Sequence, residues 1–403
     1  MDAHLSFRLP GKRVHLGVCG SIAAYRAPDI LRNLRRAGVA CSVTLTPSAA
    51  RFITPLTFQS LEAAPVYTSM FDDREAPSPF AHLEPGQTAQ AMLIAPASAT
   101  TIARLAAGLG DGLLACQALA FDGPLVLAPA MNPKMWAHAA TRAGIDTLRA
   151  RGAAIVEPGW GNTACGERGQ GRLAELEDIH AAVLRALTPQ DMRGKRVLIT
   201  LGPTRESWDG LRYWSNPSTG VMGASLAVAA WLRGAEVHAV TGPGSPRLPG
   251  GIHRYDVCSA DQMADQAASL WPDADAGIFA AAVADFKPEP PEEPGKFKKS
   301  SAPDGFSLRF IPNRDILAAL SASRRPDQRI VGFCAESHKL EEAARGKLCT
   351  KSAHLIVGNL IADGFGTTRS ATFVTDADGR SEHWDDRPKT EIAWDVLTWL
   401  LSL

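Results

Sequence analysis

The sequence predicts an α/β protein built from two doubly wound, Rossmann-like domains. Residues 11–21 read GKRVHLGVCGS and residues 194–206 read GKRVLITLGPTRE, so a polar lead-in, a short apolar strand and a glycine turn occur in the same order twice. The two openings stand about one domain length apart. In both halves short apolar strands alternate with helix-length segments, as in a parallel sheet covered on both faces. A strand, turn and helix in that order presents free backbone N–H groups to phosphate, so each half is expected to handle a nucleotide.

In the first half Val14–Cys19 reads as a buried strand, Ile22–Ala37 as a helix stopped by Gly38, and Ala40–Leu45 as a second strand. Met92–Ala95 and Leu125–Ala128 are further strands, each running into a proline turn. The strand ends carry small polar residues: Gly20-Ser21, Thr46-Pro47-Ser48, Pro96 to Thr100, and Pro129 to Asn132. Each hydroxyl or amide alone reads as a helix cap. Four such turns on one edge of a sheet also suit a phosphate cradle, although no GxGxxG fingerprint is present.

Leu187–Gly194 reads as a linker, giving expected domains 1–190 and 191–403. In the second half strands are predicted at Val197–Thr200, Glu236–Thr241, Ile278–Ala281, Ile330–Phe333 and Leu355–Gly358. Helices are predicted over Val221–Arg233, Lys339–Lys351 and Glu391–Leu401, and a hairpin over 371–384 turning at Asp378-Gly379.

Composition narrows the partners. Of 403 residues, 45% are apolar and 21% charged, with 42 basic and 42 acidic side chains, so no basic field invites nucleic acid. The seven cysteines are scattered without CxxC or Cys/His spacing, which argues against a disulfide framework or a structural zinc site and for a reducing compartment, the cytoplasm. MDAHLSFRLPGKRV has no long apolar core of a signal peptide, and no charge-free apolar run is long enough to span a membrane. Small molecules are the expected ligands.

Three residues of the first half stand out. His82 lies in a proline-rich stretch, where a lone histidine is ordinarily just solvated. Asn132 can cap the helix through Met135 and Trp136. Cys165 sits in GWGNTACGERGQGR, whose five glycines make a poor helix or strand and a good loop. Such a flap offers little core for a cysteine to fill, which favours chemistry for this thiol.

The strings GVCGSIAAYRAPDI, RFITPLTFQSL, IAPASATTIARLAAGLGDGLL, APAMNPKMW and ACGERGQGRL resemble the flavin-dependent cysteine decarboxylase family, and within it the phosphopantothenoylcysteine decarboxylases. The resemblance implies a flavodoxin-like fold, FMN as cofactor and assembly as trimers. By it Gly20, Ser21, Ser48, Ser98 and Thr100 match flavin-contacting turns, His82 the catalytic histidine, Asn132 the ligand of the substrate carboxylate, and Cys165 the proton donor. A cysteine-derived carboxylate leaves as CO2 only with an electron sink β to it. Flavin supplies one by oxidising CH2–SH to a thioaldehyde, and the enethiolate left by decarboxylation is then protonated and reduced.

Two stretches of the second half bear on a second reaction. SNPSTGVMG opens a helix with Gly220 and Gly223, a weak nucleotide signal alone. Residues 281–299, AAVADFKPEPPEEPGKFKK, deliver Lys296, Lys298 and Lys299 from a Pro/Glu loop. Such a run is ordinarily a solvated loop and can also close over a triphosphate. GPTRE, SNPSTGVMG, AAVADF, KFKK, NRDI and VGFCAE together resemble the phosphopantothenate–cysteine ligases of the bacterial, CTP-using type. The resemblance implies CTP as co-substrate, Mg2+ with ligands unknown, and ligase dimers. It places Asp285, Lys296, Phe333, Lys347 and Lys351 at CTP-binding positions, with Ala280, Ala281, Arg314, Asp315, Ile316 and Leu317 lining the same site and Asn216 at the acyl-cytidylate.

The two resemblances imply a bifunctional enzyme of coenzyme A synthesis with 4'-phosphopantothenate, cysteine and CTP as substrates. Two rivals stay open on the sequence: a flavin decarboxylase of another cysteine-derived thiol with a nucleotide-binding regulator, and an inactive flavoprotein scaffold.

Overall fold

The protein, seen in a computed structural model, is described over residues 2–71, 79–289, 295–298, 300, 304–364 and 366–403; Lys299 and most of the Pro/Glu loop lie outside these. The chain divides into two compact units, one of Phe7–Thr188 and one of Asp2–Ser6 with Pro189–Leu403.

The first unit is built on a parallel sheet of β1 (Arg13–Val18), β2 (Ala40–Leu45), β3 (Val66–Tyr67), β4 (Ala91–Ala97), β5 (Leu125–Pro129) and β6 (Ala154–Ile155), in spatial order β3-β2-β1-β4-β5-β6. The order reverses between β1 and β4, where open α/β sheets bind ligands beyond the carboxyl ends of their strands. Leu16, Val18, Met92, Leu93 and Ile94 are fully buried because helices cover both faces, which is why these strands read as unbroken apolar runs.

The predicted helix Ile22–Ala37 divides into a 3-10 turn, Ile22–Arg26, and an α-helix, Ala27–Arg36, with Pro28 in its first turn. Proline has no N–H to donate and its ring clashes with a preceding turn, so it opens a helix rather than continuing one. Ala27, Ile30, Leu31 and Leu34 then form one buried stripe.

The glycine-rich stretch expected as a loop is an antiparallel ribbon of β7 (Gly159–Asn162) and β8 (Arg168–Arg172). Thr163 closes its turn, its amide donating to the Glu167 carbonyl at 2.8 Å and its hydroxyl lying 2.9 Å from the same oxygen. Gly161, Gly169 and Gly171 serve close approach, a Cβ on Gly171 standing 2.3 Å from the Met131 carbonyl oxygen, while Gly166 supplies the left-handed turn at φ +81°.

The second unit carries β9 (Arg196–Leu201), β10 (Glu206–Ser207), β11 (Tyr213–Trp214), β12 (Glu236–Thr241), β13 (His253–Asp256), β14 (Ala276–Phe279), β15 (Phe286–Pro288), β16 (Phe310–Pro312), β17 (Arg329–Glu336), β18 (Leu355–Leu360), β19 (Arg369–Asp376) and β20 (Ser381–Pro388). Its main sheet runs β13-β12-β9-β14-β17-β18-β19-β20, with β19 and β20 antiparallel, while β10–β11 and β15–β16 are separate two-stranded ribbons. The switch point falls between β9 and β14. The predicted hairpin is present and longer than its apolar pattern suggested, because β20 is largely exposed and polar. The helix Val221–Leu232 is buried almost all round and packs on the helix Lys389–Leu401. The turn Ala3–Leu5 packs against both helices, with His4 donating from Nε2 to the Arg247 carbonyl at 2.7 Å. No helix among the described residues is long and apolar enough to cross a membrane.

Candidate active sites

In the first unit a cleft of about 540 Å³ opens at the carboxyl ends of β1 and β5, lined by Ser21, Met131, Asn132, Thr163, Cys165 and Arg172 among others. Ser21 ties the two strand ends together: its hydroxyl accepts from the Ala23 amide and donates to the Ala130 carbonyl, both at 3.3 Å. Asn132 does cap its helix, Oδ1 accepting from the Lys134 amide at 2.8 Å. That fixes the side chain so that Nδ2 points at the ribbon, donating to Glu167 Oε2 at 2.7 Å and to Cys165 Sγ at 3.3 Å. The cap and the site use opposite ends of one amide.

Cys165 is exposed at the ribbon's turn, 3.1 Å from the Thr163 hydroxyl. Hydrogen bonds from that hydroxyl, from the Glu167 backbone and from the Asn132 amide hold its thiol below the ordinary thiol range. Lys134 pairs with Glu167 at 2.7 Å, and the hydrogen bonds from Lys134 and Asn132 hold the Glu167 carboxyl below the usual carboxylate range. Thr163, Glu167 and Lys134 were not singled out by sequence; their adjacency to Cys165 and Asn132 was the one available signal.

The other predicted residues take different places. Gly20 lies against Ser48, whose Cβ would be 2.3 Å from a Cβ on Gly20, so the ends of β1 and β2 touch there. Ser98 caps the helix Ala99–Ala107 through the Thr101 amide at 3.3 Å, and Thr100 is exposed in its first turn. Ser48, Ser98, Thr100 and His82 lie outside the cleft's lining. His82 is half-buried, and its loop is tethered through the preceding residue: Gln117 Nε2 donates to the Ala81 carbonyl at 2.8 Å. Gln117 Oε1 accepts from Thr44 at 2.7 Å and from His15 at 3.2 Å, and His15 meets Ser42 at 2.8 Å. Burial pushes His15 down to about 3, so its ring is neutral in this relay.

In the second unit the switch point gathers the ends of β9 and β14, where Pro203 and Ala282 form a parallel bridge. Asn216 reaches this point, Nδ2 donating to the Ala282 carbonyl at 3.3 Å. Ala280 is held by its amide to the Thr200 carbonyl at 3.0 Å, with Ala281 next to it. The Asp285 carbonyl accepts from the Asn313 amide at 2.7 Å, which brings Arg314–Leu317 alongside. Asp315 caps the helix Ile316–Ala322 and pairs with Lys351, while Lys347 donates to the Phe333 carbonyl at 2.6 Å. Burial alone would raise the Asp315 carboxyl, but Lys351 and the Ala318 amide outweigh it and hold it below its usual range. Ile316 and Leu317 are buried core residues.

Lys296 is exposed and makes no hydrogen bond or ion pair among the described residues. Its segment is anchored: the Phe297 amide donates to Asp209 Oδ2 at 3.0 Å, and the Phe297 ring packs on Trp208 with centroids 5.4 Å apart. Asp209 was missed by sequence reasoning because its work is done on backbone groups.

The site geometry defines a two-part α/β protein: one unit holds a capped amide against a thiol in a cleft at its switch-point end, and the other sets Lys347 on the Phe333 carbonyl and Lys351 on Asp315. Residues 3–188 match the family model described as Flavoprotein, and residues 192–403 match the DNA/pantothenate metabolism flavoprotein C-terminal domain. The chain is 40% identical over 368 residues to the coenzyme A biosynthesis bifunctional protein CoaBC of Vibrio vulnificus (strain YJ016), covering 91% of each. It is 37% identical over 402 residues to the protein of that name from Bacillus subtilis (strain 168), covering 98% of each. A solved C-terminal domain of a CoaBC protein aligns with 52% of this chain and 95% of its own at 31% identity and a TM-score of 0.45. The chain belongs to the family of coenzyme A biosynthesis bifunctional proteins.

Proposed function

We propose that residues 191–403 join 4'-phosphopantothenate to cysteine at the expense of CTP, and that residues 1–190 decarboxylate the resulting 4'-phosphopantothenoylcysteine to 4'-phosphopantetheine with FMN. The observation that carries the decarboxylase assignment is the Asn132 amide, which already holds a carboxylate, that of Glu167, beside the Cys165 thiol. A substrate carboxylate meets the same donor.

FMN suits the first cleft on size, since cofactor sites run from about 300 to 1,000 Å³. At Gly20 a side chain would meet Ser48, so this turn at the end of β1 presents backbone alone, as a close approach to a phosphate needs. Bound there, FMN would take two electrons from the CH2–SH carbon and return them after CO2 has left. The protein's part is to position and to move protons. Gly20, Ser21, Ser48, Ser98 and Thr100 present turn N–H and hydroxyl groups to the cofactor. Asn132 orients the carboxylate, His82 assists proton removal from the thiol-bearing carbon, and Cys165, acidified by Thr163, returns a proton to the product carbon.

In the second unit the substrate carboxylate attacks the α-phosphate of CTP, releasing pyrophosphate and forming an acyl-cytidylate, and the cysteine amine then displaces CMP. Asn216 holds the acyl phosphate at the switch point. Lys296, Lys347 and Lys351 neutralise the phosphates, and Asp285, Phe333, Ala280, Ala281 and Arg314–Leu317 shape the nucleotide pocket. Mg2+ enters with the triphosphate, as it does where substrate phosphates supply its ligands. The working form in this reading is a cytoplasmic homo-oligomer of decarboxylase trimers and ligase dimers.

The test is a single assay on purified, yellow protein. CMP should appear only when phosphopantothenate and cysteine are both present, and CO2 should follow it. CMP release without CO2 would remove the decarboxylase half, and CO2 from supplied phosphopantothenoylcysteine with no CMP from CTP, phosphopantothenate and cysteine together would remove the ligase half.

A further inference from the structure

At the amino ends of β12 and β13, on the opposite edge of the second sheet from the switch-point site, three metal-ligating side chains converge. Glu236 opens β12 and His238 follows two residues on, so both leave the same face of the strand. His253 opens β13 and is the register partner of His238 across the parallel pair. The two imidazoles stack with centroids 4.8 Å apart and planes 20° from parallel. One ligand atom from each of Glu236, His238 and His253 lies within 4.8 Å of the others. Zinc bonds to nitrogen and oxygen of about 2.0–2.2 Å set neighbouring ligand atoms about 3.2–3.6 Å apart, so modest side-chain rotations close the set.

A second observation aims the cluster. His238 Nδ1 lies 3.0 Å from the Tyr255 hydroxyl, two residues beyond His253 on the same face, while Nε2 lies 3.0 Å from Glu236 Oε1. Metal-binding histidines characteristically have one ring nitrogen fixed by an outer partner, which sets the tautomer and directs the other nitrogen inward. Tyr255 fills that outer role here. Arg196 stands 3.3 Å from Glu236 Oε1 and 3.6 Å from Asp273, so it can keep Asp273 while Oε1 turns to an ion.

We propose that Glu236, His238 and His253 bind one divalent late transition-metal ion, with zinc the best match, and a water as fourth ligand. Two imidazoles and one carboxylate suit such an ion and not Mg2+, which prefers an all-oxygen octahedron, so this site is separate from the metal that accompanies CTP. Binding takes His238 as its Nδ1–H tautomer, the ring proton leaving Nε2 for Nδ1 and donating to the Tyr255 hydroxyl oxygen, while Nε2 and Glu236 form metal–nitrogen and metal–oxygen bonds; nothing is oxidised or reduced. Because β13 is the edge strand and pairs only with β12 in the sheet, the ion would clamp the sheet's open side.

Cobalt(II), a coloured substitute for zinc, tests this in the full chain. One cobalt ion per chain should bind with visible ligand-field bands and no sulfur-to-metal charge-transfer band, and zinc should displace it. His253→Gln and Glu236→Gln should each weaken binding by about tenfold or more, and Tyr255→Phe by a smaller factor. CMP formation by His253→Gln should match the unaltered protein, showing that the fold is kept. Absence of ligand-field bands, a thiolate signature pointing to the exposed cysteines, or undiminished binding in both ligand variants would each overturn the proposal.

Discussion

The side-chain amide nitrogen of Asn132 lies 3.3 Å from the sulfur of Cys165, so a residue fixed by capping a helix positions a residue carried by a ribbon. Thr163 completes the environment from the other side of the sulfur at 3.1 Å.

The thiol's acidity should therefore depend on Thr163 first. Thr163→Val removes the strongest hydrogen bond to the sulfur and should raise the thiol's titration toward that of a free cysteine. The rate of Cys165 alkylation against pH, read by mass spectrometry, should shift to higher pH in this variant. An unshifted profile would assign the acidification elsewhere.

Cys165→Ser should separate proton return from the earlier steps. A serine hydroxyl is a far weaker acid than a thiol, so oxidation and loss of CO2 proceed while the cycle stops before flavin reoxidation. Mixed with excess phosphopantothenoylcysteine, the variant should bleach and release at most about one CO2 per flavin. His82→Asn should instead fail before CO2 leaves. Rapid-scan absorbance with CO2 quantitation distinguishes the two, and multiple turnovers by Cys165→Ser would end its assignment as donor.

The ligase half should respond to its own residues alone. Lys296→Gln should slow acyl-cytidylate formation and leave decarboxylation of supplied phosphopantothenoylcysteine intact. Asn216→Asp places a carboxylate against the acyl phosphate and should stall activation or amine transfer while CTP still binds. Pyrophosphate release, CMP release and CO2 release measured side by side check both variants. Equal loss of all three would indicate damage to the fold.

Stability of the first unit should fall in acid. Burial holds His15 down to about 3 and His180 down to about 4, against 6.5 for a free histidine. A histidine with a depressed folded value contributes fully above its unfolded value and loses that contribution as pH drops through the interval between the two. The slope is about 1.4 kcal/mol per pH unit for each group, so going from pH 6.5 to 5 should cost about 2 kcal/mol per histidine. Urea unfolding at both pH values checks this, and His180→Gln should flatten the difference.

Much of this fold was legible because β1, β2, β4, β9 and β14 are buried on both faces and are written as apolar runs flanked by turns. The edge strands β3, β6 and β13 left no such trace, being short or half-exposed. The β7–β8 ribbon was hidden for a different reason. Its glycines signal loop in a one-dimensional reading, whereas Gly171 is needed because the Met131 carbonyl lies where a side chain would begin. In the first cleft the sequence singled out Ser21, Asn132 and Cys165, but not Thr163 or Glu167, whose effect is visible only once the ribbon folds back. The glutamine holding the His82 loop, Gln117, was equally hidden, since it acts on the Ala81 carbonyl from a helix 36 residues further along.

The turn Ala3–Leu5 belongs to the second unit, although all of Phe7–Thr188 intervenes before that unit resumes at Pro189. The first unit is thus threaded into the path of the second as an insertion. On the ribosome this imposes a waiting period: Leu5 is made long before the helix Lys389–Leu401 that helps bury it, and the intervening unit can complete its sheet in the meantime. Closure of the second unit then waits for residues 389–401, and ribosome-bound chains halted before residue 389 should carry an assembled first unit and an unclosed second one.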